Sequence, residues 1–139
     1  MDNQDSRWQQ RFMQFEKAFV LLQSAMAINK PSVVERAGLI QFFEMAFELA
    51  WKFLKDFEEA EGFSVKSPRD AIKQAYQAEI ITQGQDWMDA LEDRNLTTHT
   101  YNENTALAVE DKIRTASPLF RKAVSGFQTQ GGGLVWLMD

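Results

Sequence analysis

The sequence contains no cysteine and only one histidine in 139 residues. The lack of cysteine excludes disulfides, a thiolate nucleophile and cysteine-ligated metals, and it suits a reducing compartment. No apolar run approaches the ~20 residues that a membrane-spanning helix needs. The first residues also lack the basic start and apolar core of a signal peptide. We therefore expect a cytoplasmic protein without a membrane segment.

The chain also lacks an excess of positive charge, since its formal net charge is −5. Non-specific coating of nucleic acid requires a broad basic surface, so any contact with RNA would be confined to a cleft. The apolar content of 45% in a chain of this length can fill one sizeable core. The sequence thus indicates a single domain.

The first predicted helix is capped by Ser6 and ends near Asn29, before Pro31. Apolar residues from Trp8 to Met26 recur at spacings of three and four, which places them on one stripe of a helix.

The second predicted helix is the longest, from a capping box at Ser32 and Glu35 to a stop at Gly62. Between positions 39 and 57 it is apolar on most sides, which is more than we expect one chain of this size to cover. The excess predicts a subunit interface. The remaining polar stripe consists of Glu44, Glu48, Lys52 and Asp56. Its plain interpretation is a solvated face with one Glu48–Lys52 ion pair.

Two shorter helices follow. Ser67-Pro68 is a helix start, because serine caps and proline suits the first helical position. The residues predicted to face inward from this helix are Ile72, Ala75 and Tyr76. A fourth helix starts near Asp86, buries Trp87 and Leu91, and carries Arg94 in its last turn.

The last predicted helix is capped by Asn102 or Asn104, and Ser117-Pro118 lies inside it, so we expect a kink or a break there. Its apolar side consists of Ala106, Leu107, Ile113, Phe120, Val124 and Phe127. No segment shows the alternation of a strand. The fold class predicted is all-α, an up-and-down bundle of four to five helices over residues 1–127. A Gly-rich linker and an apolar tail occupy 128–139.

The polar stretch from Asp93 to Tyr101 separates the last two helices and contributes little to a core. Arg94 is a permanent bidentate donor suited to a phosphate. His99 is the residue whose pKa allows proton exchange near neutrality. If the helix ends near Leu96 and the chain bends, both side chains can reach one pocket, where they would suit metal-free cleavage of RNA.

One histidine cannot easily serve as both base and acid, and a two-fold dimer would supply a second His99 and a second Arg94. The alternative is structural, because a lone loop histidine is often a surface residue and a last-turn arginine often complements the helix dipole. A metal site is a weaker alternative, since it would depend on carboxylates such as Asp93 and Glu103.

The pattern Arg94-x4-His99-x-Tyr101 resembles the motif of HEPN-domain proteins, specifically the HepT-type toxins that pair with a minimal nucleotidyltransferase (MNT). Further blocks resemble the nucleotidyltransferase substrate-binding branch of that superfamily. They are Phe43-Glu44-x3-Glu48-x2-Trp51-Lys52-x2-Lys55-Asp56, Ser67-Pro68-Arg69, and Trp87 followed by Asp93-Arg94-Asn95. The resemblance covers roughly Trp8 to Phe127.

The resemblance implies a homodimeric bundle in which the motif copies meet in a cleft between protomers. It implies a metal-independent endoribonuclease, without a cofactor, whose catalytic residues are Arg94 and His99. The partner MNT would neutralise this toxin by adding AMP to Tyr101. Supporting positions are Asn95, Thr97 and Thr98 in the polar stretch and Glu44, Lys52 and Lys55 on the long helix, although packing and ion pairing explain the last three equally well.

Two alternatives stay open at this point. In one, the bundle is a non-catalytic subunit that binds substrate for, or regulates, a two-component nucleotidyltransferase. In the other, it is a dimeric helical bundle whose polar loop is merely solvated.

Overall fold

The computed structural model describes residues 3–99 and 102–129, with side chains for 6–99 and 102–127. These ranges form α1 (Asn3–Met26), α2 (Val33–Ala60), α3 (Pro68–Gln77), α4 (Gly84–Leu96) and α5 (Glu103–Thr129), with a 3₁₀ turn at Thr97–His99. Consecutive helices pack against each other. The described ranges contain no strand, so the predicted all-α class is confirmed. No helix within them is long and apolar enough to cross a bilayer.

Ser32 and Ser67 cap α2 and α3 where the sequence predicts. The Ser32 hydroxyl accepts from the Glu35 amide at 3.1 Å, and the Glu35 carboxylate accepts from the Ser32 amide at 2.8 Å. Gly62 follows α2 with a φ of 98°, a left-handed conformation that glycine adopts without strain. The Ser67 hydroxyl accepts from the Asp70 amide at 3.1 Å. Local side-chain chemistry therefore fixes the ends of α2 and the start of α3.

Helix α2 is the centre of the bundle and packs against α1, α3, α4 and α5. Its completely or almost completely buried aromatic side chains are Phe43, Phe47, Phe53 and Phe57. The large apolar side chains that it leaves exposed are Val33, Val34 and Met45. Neighbouring helices of the same chain thus cover most of the apolar surface of α2. The expectation that one chain could not cover this surface was wrong, so the surface by itself is no argument for a dimer.

An aromatic cluster joins the start of α1 to the end of α2 and the end of α5. The ring of Phe127 lies 4.4 Å from Phe53 in an edge-on arrangement, and it also contacts Trp8, Phe12 and Phe57. Edge-on aromatic pairs add roughly 0.5–1.5 kcal/mol beyond the burial of their area. This cluster anchors the C-terminal part of α5.

Helix α5 runs through Pro118 without interruption. Proline lacks an amide hydrogen, so the carbonyl of Arg114 loses its usual helical partner. The hydroxyl of Ser117 donates to that carbonyl at 3.2 Å. Of the two predicted alternatives, the break was therefore wrong, because the helix continues and a neighbouring side chain bonds the carbonyl, whereas the kink stays a prediction.

Three residue placements also differ from the sequence prediction. Helix α1 begins at Asn3, so Ser6 lies inside the helix and does not cap it. Tyr76, in the last turn of α3, is 55% exposed. Its ring lies against the backbone of Gly84 at the start of α4 and not in the core. Leu107 is 46% exposed, because Ala106 faces the core and the next residue is rotated by about 100°.

A charged network ties α5 to α2 and to the end of α1. Arg36 donates to Glu110 at 2.8 Å and also pairs with Glu103. Arg114 donates to Glu110 at 2.9 Å and to the carbonyl of Met26 at 2.9 Å. The network fixes the beginning of α5 and therefore the exit of the polar stretch that precedes it.

Helix α5 continues through Thr129, two residues into the predicted linker and tail of 128–139, and residues 130–139 lie outside the described residues. The domain boundary at residue 127 stays a prediction.

Candidate functional site

Arg94 lies in the last turn of α4, as the sequence predicts, and contacts α2. Its Nη2 atom donates to Oε2 of Glu48 at 2.6 Å. The two side chains are 37% and 31% exposed, so water screens the pair and its contribution to stability is at most about 1 kcal/mol. The pair matters chiefly for position, because it fixes where the guanidinium lies.

The polar stripe of α2 is only partly a solvated face. The predicted Glu48–Lys52 pair is present at 3.6 Å. Asp56, by contrast, is buried, and Arg11 donates to it at 3.2 Å from α1. The expectation of a fully solvated stripe was therefore wrong, because other helices contact it.

Lys55, like Lys52, engages a carboxylate on its own helix. The Lys55 ammonium lies 3.5 Å from Glu59, one turn further along α2. Ion pairing within α2 thus accounts for both supporting lysines.

The 3₁₀ turn after α4 is held by two threonine hydroxyls. The Thr97 hydroxyl is buried and lies 2.6 Å from the carbonyl of Arg94 and 2.8 Å from Oε2 of Glu44. The Thr98 hydroxyl donates to the carbonyl of Asn95 at 3.1 Å. Because Glu44 and Glu48 are on successive turns of α2, that helix positions both the end of α4 and the turn that follows it.

His99 is exposed at the end of the 3₁₀ turn. Among the described residues, its imidazole has no hydrogen-bond or ion-pair partner. Three residues later, Asn102 starts α5, and its side-chain oxygen accepts from the Thr105 amide at 2.9 Å. Tyr101, the predicted modification site, lies outside the described residues.

A cleft of about 480 Å³ opens beside Arg94, between α2, the start of α3 and α4. The residues that line it are Phe47, Glu48, Trp51, Ser67, Pro68, Arg69, Leu91, Arg94 and Asn95. Many of these positions belong to the sequence blocks that resemble the substrate-binding branch, so the fold brings those blocks to one place. His99 is not among the lining residues. The structure therefore places Arg94 and Asn95 in this cleft, and His99 beyond it.

The carboxylates considered as metal ligands have other surroundings. Burial raises the pKa of Asp93 above its usual value, and Glu103 accepts from Arg36. Within residues 3–99 and 102–129, no three acidic or histidine side chains are grouped as a metal would require.

Comparisons with known proteins agree with this architecture. The family described as "Nucleotidyltransferase substrate binding protein like" matches residues 10–129. A protein of Haemophilus influenzae named "Probable ribonuclease HepT" is 30% identical over 92 residues, which are 60% of this chain and 63% of that relative. A crystal structure of a protein from Thermus thermophilus has a TM-score of 0.74 and 32% identity, and the match covers 80% of this chain and 96% of that one.

An all-helical chain of this architecture thus has both solved and curated relatives. The chain belongs to the nucleotidyltransferase substrate-binding-protein-like family, which is HepT-like, and the resemblance stated from the sequence is confirmed. The alignment with the H. influenzae relative spans less than two thirds of that protein's length.

Sequence reasoning missed two side chains of the cleft, Trp51 and Arg69. Both belong to the sequence blocks that resemble the substrate-binding branch, but sequence reasoning assigned Trp51 to packing and Arg69 to a helix start. Ser67 and Pro68 are sufficient to start the helix, so the arginine that follows them has no role in that start. This could have indicated that Arg69 serves another purpose.

Proposed function

We propose that the protein is the toxin subunit of a HEPN/MNT pair, a cytoplasmic, metal-independent endoribonuclease. The observation that carries this proposal is the pairing of Arg94 with Glu48, five residues before an exposed His99 in a protein of this family. A guanidinium held in place can stabilise the charge of the transition state, and an accessible imidazole can exchange protons, as phosphodiester cleavage without metal requires.

The reaction follows from the chemistry of these groups. His99 removes the proton of a ribose 2′-hydroxyl, and the oxygen attacks the adjacent phosphorus. The bond to the 5′-oxygen then breaks, which gives a 2′,3′-cyclic phosphate and a 5′-hydroxyl. Arg94 stabilises the negative charge that grows on the phosphorane.

A second histidine is required to protonate the leaving oxygen while the first acts as base. A two-fold homodimer supplies it from the partner copy. Support for this arrangement comes from Leu96, which is 41% exposed in the last turn of α4, directly before the 3₁₀ turn that carries His99. Exposed apolar residues next to polar, functional ones are typical of an interface core.

Neutralisation is assigned to a partner nucleotidyltransferase that transfers AMP to Tyr101. The modification joins the tyrosine oxygen to the α-phosphorus of ATP and releases pyrophosphate. It would place a charged, bulky group two residues from His99.

Cleavage of single-stranded RNA by the purified protein tests the enzymatic proposal. We expect cleavage in EDTA, with 2′,3′-cyclic phosphate ends, and its loss in His99→Ala and Arg94→Ala. Arg121→Ala removes an exposed cation of α5 that does not line the cleft; it is the matched control and should cleave normally. Equal cleavage by all variants would show that a contaminating nuclease is responsible.

A second candidate is a non-catalytic subunit that binds substrate for the nucleotidyltransferase. Two observations favour it: His99 does not line the cleft beside Arg94, and Glu48 partly neutralises that arginine. This candidate predicts a stable complex with the nucleotidyltransferase and no RNA cleavage. AMP transfer is followed by intact mass, and Tyr101→Phe should abolish it in either case.

A further inference from the structure

The cleft beside Arg94 carries a cation that is not used by the fold. Arg69 is exposed at the start of α3, and its Nη1 atom lies 3.8 Å from the sulfur of Met88. No carboxylate among the described residues pairs with it. Arg94, on the same cleft, is already bonded to Glu48. Arg69 is therefore the guanidinium of this cleft that is available to an anion without breaking an ion pair.

The same cleft has an aromatic wall. Trp51 is partly buried against the core on α2, yet lines the cleft together with Arg69 and Asn95. A half-buried indole is held rigidly on one side and presents its remaining surface to a ligand. Aromatic faces next to cations recur where proteins bind single-stranded nucleic acid, because bases stack and phosphates pair.

The free guanidinium of Arg69 and the indole of Trp51 suit the phosphate and the base of one nucleotide. We infer that this cleft is a nucleotide subsite for single-stranded RNA, with the base stacked on Trp51 and its phosphate held by Arg69. The amide of Asn95, exposed on the same cleft, contacts the base edge or the ribose. The inference rests on the proposed function, in that it takes RNA as the ligand. It assigns binding, and not the chemical step, to Trp51 and Arg69.

Binding is measured in a His99→Ala background so that the RNA stays intact. The probe is a fluorescently labelled oligoadenylate of about ten nucleotides, within the usual site sizes for single strands. We expect Trp51→Ala to weaken binding about 5- to 160-fold, the range for loss of one stacked base, and Trp51→Phe to retain most of the affinity. Arg69→Ala should weaken binding. It should also make the dependence of the binding constant on salt less steep, by about 0.7 in the slope of log K against log salt concentration.

Arg121→Ala in the same background is the control for loss of one positive charge, and it should bind as the parent does. Thermal unfolding of each variant separates a binding defect from a folding defect, and Arg69, being exposed, should not alter the midpoint. Unchanged affinity in both Trp51→Ala and Arg69→Ala would overturn the inference. So would binding of AMP alone, through the same side chains, without binding of the oligonucleotide.

Failure of this subsite can be told apart from failure of the ribonuclease proposal. If the wild-type protein does not cleave RNA but binds it through Trp51 and Arg69, the subsite stands and the ribonuclease proposal fails. If the wild-type protein cleaves RNA and the two variants keep its KM, the subsite fails alone.

Discussion

The guanidinium of Arg94 and the carboxylate of Glu48 meet at 2.6 Å, although 46 residues separate them in the sequence. The bond joins the last turn of α4 to the exposed side of α2. It sets the position of the proposed phosphate-binding group before any substrate arrives.

Removal of this carboxylate should affect activity more than stability. Glu48→Ala leaves Arg94 without its support, so we expect RNA cleavage to fall by about tenfold or more, typical of a displaced binding group. The free energy of unfolding should change by less than about 1 kcal/mol, because the pair is partly exposed. Glu48→Gln keeps an oxygen acceptor and should restore much of the cleavage. Equal activity in Glu48→Ala and the wild type would contradict the positioning role.

The proposed dimer interface can be tested at Leu96, which is 41% exposed beside the 3₁₀ turn. Leu96→Glu places a charge in the expected apolar contact, so the protein should sediment as a monomer and lose RNA cleavage. Val20→Glu, on an exposed part of α1, is the matched control and should leave both unchanged. A dimer that persists in Leu96→Glu would exclude this face.

Glu110 should make stability sensitive to acid. Burial would raise its pKa, but hydrogen bonds and charge from Arg36 and Arg114 outweigh burial and lower the pKa below its usual value. A lowered folded-state pKa means that the stabilisation is complete above the unfolded pKa. It is lost as pH falls through the folded pKa. Chemical denaturation between neutral and acidic pH should show this loss, and Glu110→Gln should reduce it. The same pH dependence in both proteins would contradict the assignment.

Glu58 should act in the opposite sense. Its side chain is completely buried, and neither carboxylate oxygen has a partner among the described residues. Burial, with a smaller effect of Glu59, raises its pKa from 4.5 to about 9. Stability should therefore fall as pH rises from about 4.5 toward about 9.

Glu58→Met tests this pH dependence, because the thioether has similar length and no charge. We expect the variant to be more stable than the wild type at pH 8, by about 1–3 kcal/mol, and to have a flatter pH profile. Urea denaturation at pH 5 and pH 8 provides the measurement. A variant that is less stable at both pH values would show that Glu58 has a bonded, structural role.

Local signals in the sequence were sufficient for most of the fold. The caps at Ser32, Ser67 and Asn102 involve residues three apart, and the structure contains all three. The placement of Arg94 at the end of α4 follows from the same local pattern. These features were predictable because their partners are neighbours in the chain.

Contacts between distant segments were not predictable. The apolar excess of α2 indicated a partner subunit, but helices of the same chain cover most of it. Glu48 was assigned to a pair with Lys52, and its bond to Arg94 depends on how α4 crosses α2. Pro118 is a local exception, since the predicted alternative of a break was wrong although the bond from Ser117 to the unsatisfied carbonyl lies within one turn of α5. In each case the deciding partner is supplied by packing or by a side-chain conformation.

The continuity of α5 has a mechanical consequence. The helix starts beside the polar stretch and reaches Phe127 in the aromatic cluster without interruption, so about 36 Å of continuous helix connects the two ends. A substitution that weakens the packing around Phe127 should therefore also increase the mobility of the segment that carries His99, at the other end of the helix.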